Sequence, residues 1–309
     1  MSPAATSAAC AEALVQLRAT SPDPVLRALA TRELAGLSGA AAFAEPTGPG
    51  GLRPLRPALR AALGDADPRV REAAAQGLGS PSDVASEAAL IDAAKREPWP
   101  FARSAEVAAL GRSCGAPARA LLVRAIERDT PEVRRVALVG LDGCGDPRMP
   151  RFLLTILRTV TADPSLRELA AGLCGGRGRS PDAPALAHAL ADALPSLANE
   201  AEGDLAIEAV TIAALRSLGA LGGPDAARAA AALARDAAHP YRHVATEVLG
   251  RICDPGVGAA TLAALRASPD PELALAAQSS ERACRDRPAS VPDAGRAVPE
   301  TEPRVRAAR

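Results

Sequence analysis

The chain has 309 residues, of which 48 % are apolar and only 2 % aromatic, and its 36 basic side chains balance 36 acidic ones. Such a composition can bury a long core of small side chains. It lacks the β-branched and aromatic surplus of a sizeable sheet and the basic surplus of a dedicated nucleic-acid binder.

Taken in order, residues 7–18 read as a first helix, and Ser21-Pro22-Asp23-Pro24 opens a second along which Leu26, Arg27, Ala30, Leu34 and Leu37 lie. Residues 38–52, rich in Gly, Ala and Pro, are a loop insertion. A short helix over 55–63 then leads to the unit that organises the chain, Asp67-Pro68-Arg69-Val70-Arg71-Glu72-Ala73-Ala74-Ala75-Gln76-Gly77-Leu78-Gly79. Asp67 can cap free amides, Pro68 sits where a missing N–H is harmless, and Val70, Ala73, Ala74 and Leu78 share one helical stripe. Helical pairs then follow over 84–95 and 100–110, 117–128 and 131–141, 147–160 and 164–173, 183–194 and 204–218, 224–235 and 241–249, and 258–267 and 271–284. A further loop is expected over 175–181. From residue 286 proline, charge and small residues take over, so 1–285 is read as one body and 286–309 as a disordered tail.

The period is marked by an arginine four positions after the capping residue: Arg27, Arg71, Arg103, Arg134, Arg167 and Arg242. Glu208 takes the matching place in the intervening repeat and Ala274 in the last. Leucines near the helix ends recur with it, at Leu34, Leu78, Leu110, Leu141 and Leu249. A lone helical pair cannot bury both faces, so the pairs must stack into a solenoid.

Units such as Asp67 to Ala74, Thr130-Pro131-Glu132-Val133-Arg134-Arg135-Val136-Ala137 and Asp163-Pro164-Ser165-Leu166-Arg167-Glu168-Leu169-Ala170 resemble HEAT repeats, in particular the short class of phycobilisome lyases. The resemblance implies an all-α, right-handed α-α superhelix of about eight helix pairs, with second helices on the concave side and an Asp/Arg ladder between them. Asp23, Arg27, Asp67, Arg71, Asp129 and Asp163 match that ladder. Trp99 stands where the third repeat should have its Asp, and His239-Pro240-Tyr241-Arg242 departs in the seventh.

The arginine row can be read as a guanidinium stripe awaiting an acidic partner, or as the ladder already paired. Exposed pairs of that kind contribute only about 0–1 kcal/mol each. Trp99 and Phe101 flank Pro100 beside Arg103, either as an aromatic anchor for a partner or as filler where repeats pack irregularly. With Arg134, Arg167, Tyr241 and Arg242 they form the candidate partner-binding set on the concave face.

Cys114, Cys144, Cys174 and Cys253 each follow a second helix, and equivalent positions one helix-packing distance apart, about 8–10 Å, are too far for a disulfide. Small buried residues at a repeated turn are therefore expected, with reduced thiols. His239 and His243 have chelating spacing, but Pro240 lies between them; the paired His-Glu dipeptides that the resemblance to HEAT-repeat deoxyhypusine hydroxylases would imply for iron do not occur, so no metal or cofactor is expected.

No run of about 18 apolar residues escapes charge or proline, and the first ten residues lack a charged and leucine-rich leader. A cytoplasmic protein is expected, with neither membrane nor nucleic acid as partner. The functional expectation is a non-enzymatic scaffold that holds another protein in its groove. The resemblance also admits a phycobilin-lyase-like chromophore handler, or a HEAT-like DNA alkyl-glycosylase, against which stand the scarce aromatics, the single Trp and the zero net charge.

Overall fold

The computed structural model describes residues 3–39, 55–79, 83–201 and 204–287. Among them are sixteen helices and no strand. They form eight consecutive pairs. These are α1 (Pro3–Thr20) with α2 (Pro24–Gly39), α3 (Leu55–Ala62) with α4 (Pro68–Leu78), α5 (Val84–Arg96) with α6 (Pro100–Ser113), and α7 (Ala116–Arg128) with α8 (Pro131–Gly143). The remainder are α9 (Met149–Arg158) with α10 (Pro164–Gly175), α11 (Ala183–Glu200) with α12 (Leu205–Leu221), α13 (Gly223–Arg235) with α14 (Arg242–Ile252), and α15 (Val257–Leu265) with α16 (Pro271–Asp286). Most of the predicted 38–52 loop and nearly all of the predicted tail lie outside the described residues. No helix among the described residues is long and apolar enough to cross a membrane.

The starts of the second helices follow from their sequence. Asp67 accepts from the Arg69 amide, Asp163 from Leu166, Asp204 from Ala206 and Ile207, and Asp270 from Glu272 and Leu273. A proline at the first or second helical position follows in α4, α6, α8, α10 and α16. The α11 helix runs well past the expected end at residue 194 and takes Pro195 into its interior. Its apolar stripe of Leu186, Leu190, Leu194 and Leu197 continues across that proline into the core.

Second helices lean on one another along their lengths, whereas neighbouring first helices touch much less. An array whose one layer is the more closely spaced curves towards that layer, so the second helices, even-numbered from α2 to α16, form the inner face. In α12 the ladder position is Thr211, three residues beyond the expected Glu208, and three residues after each ladder position comes a buried alanine: Ala30, Ala74, Ala137, Ala170, Ala214, Ala245 and Ala277. The third repeat alone puts a glutamate there, Glu106, and buries it completely. Seven residues after the ladder position come the buried Leu34, Leu78, Leu110, Leu141, Leu218 and Leu249, with Cys174 in the fifth repeat. Cys174 thus lies inside α10 in a leucine's place, not at a turn, and burial raises its thiol to a pKa of about 12.

The second helices are not evenly coupled. Eight residues after the ladder position in odd repeats stand Ala35, Gly111, Gly175 and Gly250; six after it in even repeats stand Gly77, Gly140, Ser217 and Ser280. These meet pairwise. A Cβ on Gly111 would lie 2.6 Å from the Gly140 Cα, one on Gly77 2.8 Å from the Ala35 Cα, one on Gly175 3.1 Å from the Ser217 Cα, and one on Gly250 2.8 Å from the Ser280 Cα. The solenoid is therefore a series of four two-repeat units with backbone-close seams.

Between units, arginine side chains bridge a wider gap. Arg112 Nε donates to the Gly79 carbonyl at 2.9 Å, Arg177 pairs with Asp142 at 2.6 Å, and the Arg251 stem lies over Gly219. The seam between α8 and α10 is the loosest in the inner layer.

Two of the close seams are covalently locked. Cys114 is bonded to Cys144 and Cys253 to Cys284, each with Cα atoms 5.3 Å apart. This corrects the expectation of unbonded cysteines. The expectation assumed ordinary helix spacing, and the small residues three or four positions before each cysteine bring the helices closer than that. Cys10 and Cys174 remain free.

Candidate partner-binding groove

The ladder residues reach the end of the preceding first helix rather than the open inner face. Arg103 donates to both Asp129 oxygens at 2.9 and 2.7 Å and to the Ala94 carbonyl in the last turn of α5. Arg134 Nε donates to Ile126 O at 2.8 Å, and Arg242 donates to Ala234 O at 3.4 Å and Ala237 O at 3.5 Å. Arg167 is buried, 2.9 Å from Glu200 and on the Leu157 carbonyl. Arg27 and Arg71 pair forward with Asp65 and Glu97, in the turns after α3 and α5, at 3.0 and 2.6 Å, and donate to the Ser21 and Asp65 carbonyls in the turns before their own helices. The last carbonyls of a helix have no intrahelical donor, and a guanidinium supplies several N–H groups there. In α12 this place belongs to Thr211, whose hydroxyl donates to Leu197 O at 3.2 Å, and not to Glu208 as the sequence alignment had it.

The acidic side of the ladder also needs correction. Asp129 is a rung, but Asp23, Asp67 and Asp163 are helix caps. Asp67 also holds Arg69 at 2.7 Å, and chiefly that hydrogen bond pulls its pKa down to about 2. The actual rungs, Asp65, Glu97 and Glu200, lie before the cap, where no fixed spacing in the sequence marks them.

The candidate contact set therefore divides. Arg167 and Tyr241 are buried, and Arg103, Arg134 and Arg242 are spent on internal bonds, so none of the five forms an open stripe. The Tyr241 ring lies tilted against His239 at 5.4 Å between centroids, a His239 ring nitrogen accepts from the Tyr241 amide, and burial raises the phenol pKa. Trp99 and Phe101 do reach solvent, 52 % and 40 % exposed, with ring centroids 6.2 Å apart. They stand at the start of α6, on the edge of the array where second helices begin. His243 lies 3.4 Å from Asp270, and among the described residues no three His, Cys, Asp or Glu side chains gather as a metal site.

The open inner face is paved by other residues. A hollow of about 460 Å³ between α6, α8 and α10 is lined by Ala108, Gly111, Val136, Val139, Gly140, Gly143 and Leu169, with Arg112 and Arg135 at its sides. A second, of about 510 Å³, lies between α10 and α12 on Gly172, Gly175, Ala209, Ile212, Ala213 and Ala220, beside Glu168 and Arg216. They share α10 as a low wall. Val139 is half exposed at the middle of the first hollow. The sequence reading missed this floor because glycine and alanine carry no chemistry; its only signal was their recurrence on the outward side of the second helices.

Residues 11–111 match the family model described as HEAT repeats. No curated protein sequence matches the chain. Among solved structures, it is similar to human deoxyhypusine hydroxylase in complex with glycerol, at 17 % identity over 91 % of this chain and 98 % of that one, with a TM-score of 0.37. It is similar to the CpcE–CpcF complex of phycocyanin lyase from Nostoc at 22 % identity over 77 % and 90 %, TM-score 0.41. It is also similar to a chain from a study of the interaction between cadherin and β-catenin, at 18 % identity over 89 % and 61 %, TM-score 0.44. At such identity and superposition none transfers an activity, ligand or partner. Residues 11–111 thus carry recognised HEAT repeats, and the sixteen stacked helices make the described chain an all-α helical solenoid.

Proposed function

We propose that this solenoid is a non-enzymatic scaffold that holds a protein partner along its inner face, between α6 and α12. The observation that carries the reading is the floor itself. Two adjoining hollows of about 460 and 510 Å³ expose backbone and methyl groups at Ala108, Gly143, Gly172 and Ala213, with Val139 and Ile212 as larger apolar contacts. A floor without bulky side chains lets a partner's main chain or helix approach closely, and a long shallow surface gathers affinity from many small contacts.

The test compares wild type with Val139→Glu and Ala213→Arg, each confirmed as folded by circular dichroism, in cross-linking capture from the native extract. A protein cross-linked by wild type and lost from both variants, but kept by the edge variant Trp99→Ala, supports the groove. A partner kept by both groove variants and lost with Trp99→Ala moves the site to the aromatic edge and overturns this reading. The cytoplasmic location expected from the sequence carried reduced thiols with it. The two disulfides are bonds of a kind that persists in oxidising compartments, so thiol counting on natively sourced protein separates the two locations.

A further inference from the structure

Glu106 is the residue of this fold that its architecture least explains. Every other repeat fills that register with a buried alanine, and Glu106 is equally inaccessible to solvent. Neither carboxyl oxygen has a hydrogen-bond partner. A buried ionised carboxylate without a partner is so unfavourable that such a group stays protonated. Burial first, and then the nearby charge of Glu97, raises its pKa to about 8.

Its surroundings are two closed rungs. Arg71 on α4 holds Glu97 through two bonds of 2.6 and 2.7 Å, and Arg103 on α6 holds Asp129. Arg96 at the end of α5 is the third cation that acts on it. From α7 and α8 no charged side chain comes within hydrogen-bonding reach, and Arg134 of α8 is turned to the Ile126 carbonyl.

We propose that Glu106 is a proton-operated latch in the third repeat: protonated, it leaves both rungs closed, and on losing its proton it draws Arg71 out of its rung with Glu97 and loosens the seam between α4 and α6. This adds a conformational control that does not depend on what the inner face binds. The step is a simple transfer of the carboxyl proton to solvent, and the new carboxylate is neutralised by the Arg71 guanidinium, first of the three cations whose charge already acts on it. Glu97 is the link to the surface. The Arg71 rung shares the Glu97 carboxylate with the Trp99 amide, which donates to it at 3.1 Å. Opening that rung releases the turn that presents Trp99 and Phe101.

Trp99 is the only tryptophan in the chain, so its fluorescence reports on this turn alone. The experiment is a titration of the full-length protein through neutral to alkaline pH, following the emission of wild type, Glu106→Gln and Glu106→Ala. Alanine is what the other seven repeats carry, and glutamine keeps the size without the charge, so at least one variant should retain the fold. Wild type is expected to show a one-proton transition with a midpoint near pH 8, and both variants none. A flat wild-type curve overturns the latch, and so does the same transition in either folded variant.

Discussion

At the scale of single residues, the groups that look free in the sequence are not the ones left without partners in the fold. The ladder arginines look available in the sequence but end on helix carbonyls and rung carboxylates, while Glu106 looks like an ordinary helical glutamate and is buried without a partner. Its stability consequence has a definite sign. The folded-state pKa of about 8 lies above the ordinary 4.5, so between those values the native state holds a proton that the unfolded chain has lost. The contribution of Glu106 is therefore fully present below the unfolded pKa and disappears as pH rises through the folded one. Through this group alone, folding should weaken by about 3 kcal/mol between about pH 5 and 8. Urea unfolding of wild type and Glu106→Ala at both pH values checks this. The difference between the two proteins should change with pH by that order, and a constant difference refutes it.

At the scale of elements, caps and seams are legible to different degrees. Asp67-Pro68, Asp163-Pro164 and Asp270-Pro271 announce helix starts through local chemistry, which the structure reproduces. The seams depend on which residue of one helix faces which of the next, a relation between repeats that single-helix periodicity does not contain. The disulfides were missed for this reason. Each locked cysteine pair follows a small-residue pair, Gly111 with Gly140 and Gly250 with Ser280, and that combination was the available signal. The rungs Asp65, Glu97 and Glu200 were missed because turns of different length place them. A seam this close leaves no room for added atoms. Gly111→Val puts methyl groups against the Gly140 backbone, and overpacking of that sort destabilises by about 1–3 kcal/mol. In thermal melts Gly111→Val should fall well below wild type, whereas Gly143→Ala, with open space around it, should melt close to wild type.

At the scale of the whole molecule, the array behaves as neighbours linked in a line. The disulfides close loops of 30 and 31 residues. Loops of that length correspond to roughly 3–4 kcal/mol each in the chain-entropy account. Because each repeat touches only its neighbours, reduction should not lower stability evenly. Hydrogen exchange with and without reductant should show protection lost around α6 and α8 and around α14 and α16, and kept in α10 and α12; uniform loss would contradict a linear array. The alternation of seam and gap also bears on how long such a molecule can be. Excise one helical hairpin, and two helices of like parity become neighbours, with notch facing bulk. Excise two in succession, and every notch again meets its counterpart. Length in this architecture is counted in even numbers: a viable shortened or extended sibling would differ by a doublet of hairpins, and an odd one would have to rebuild the glycine and serine positions at its splice.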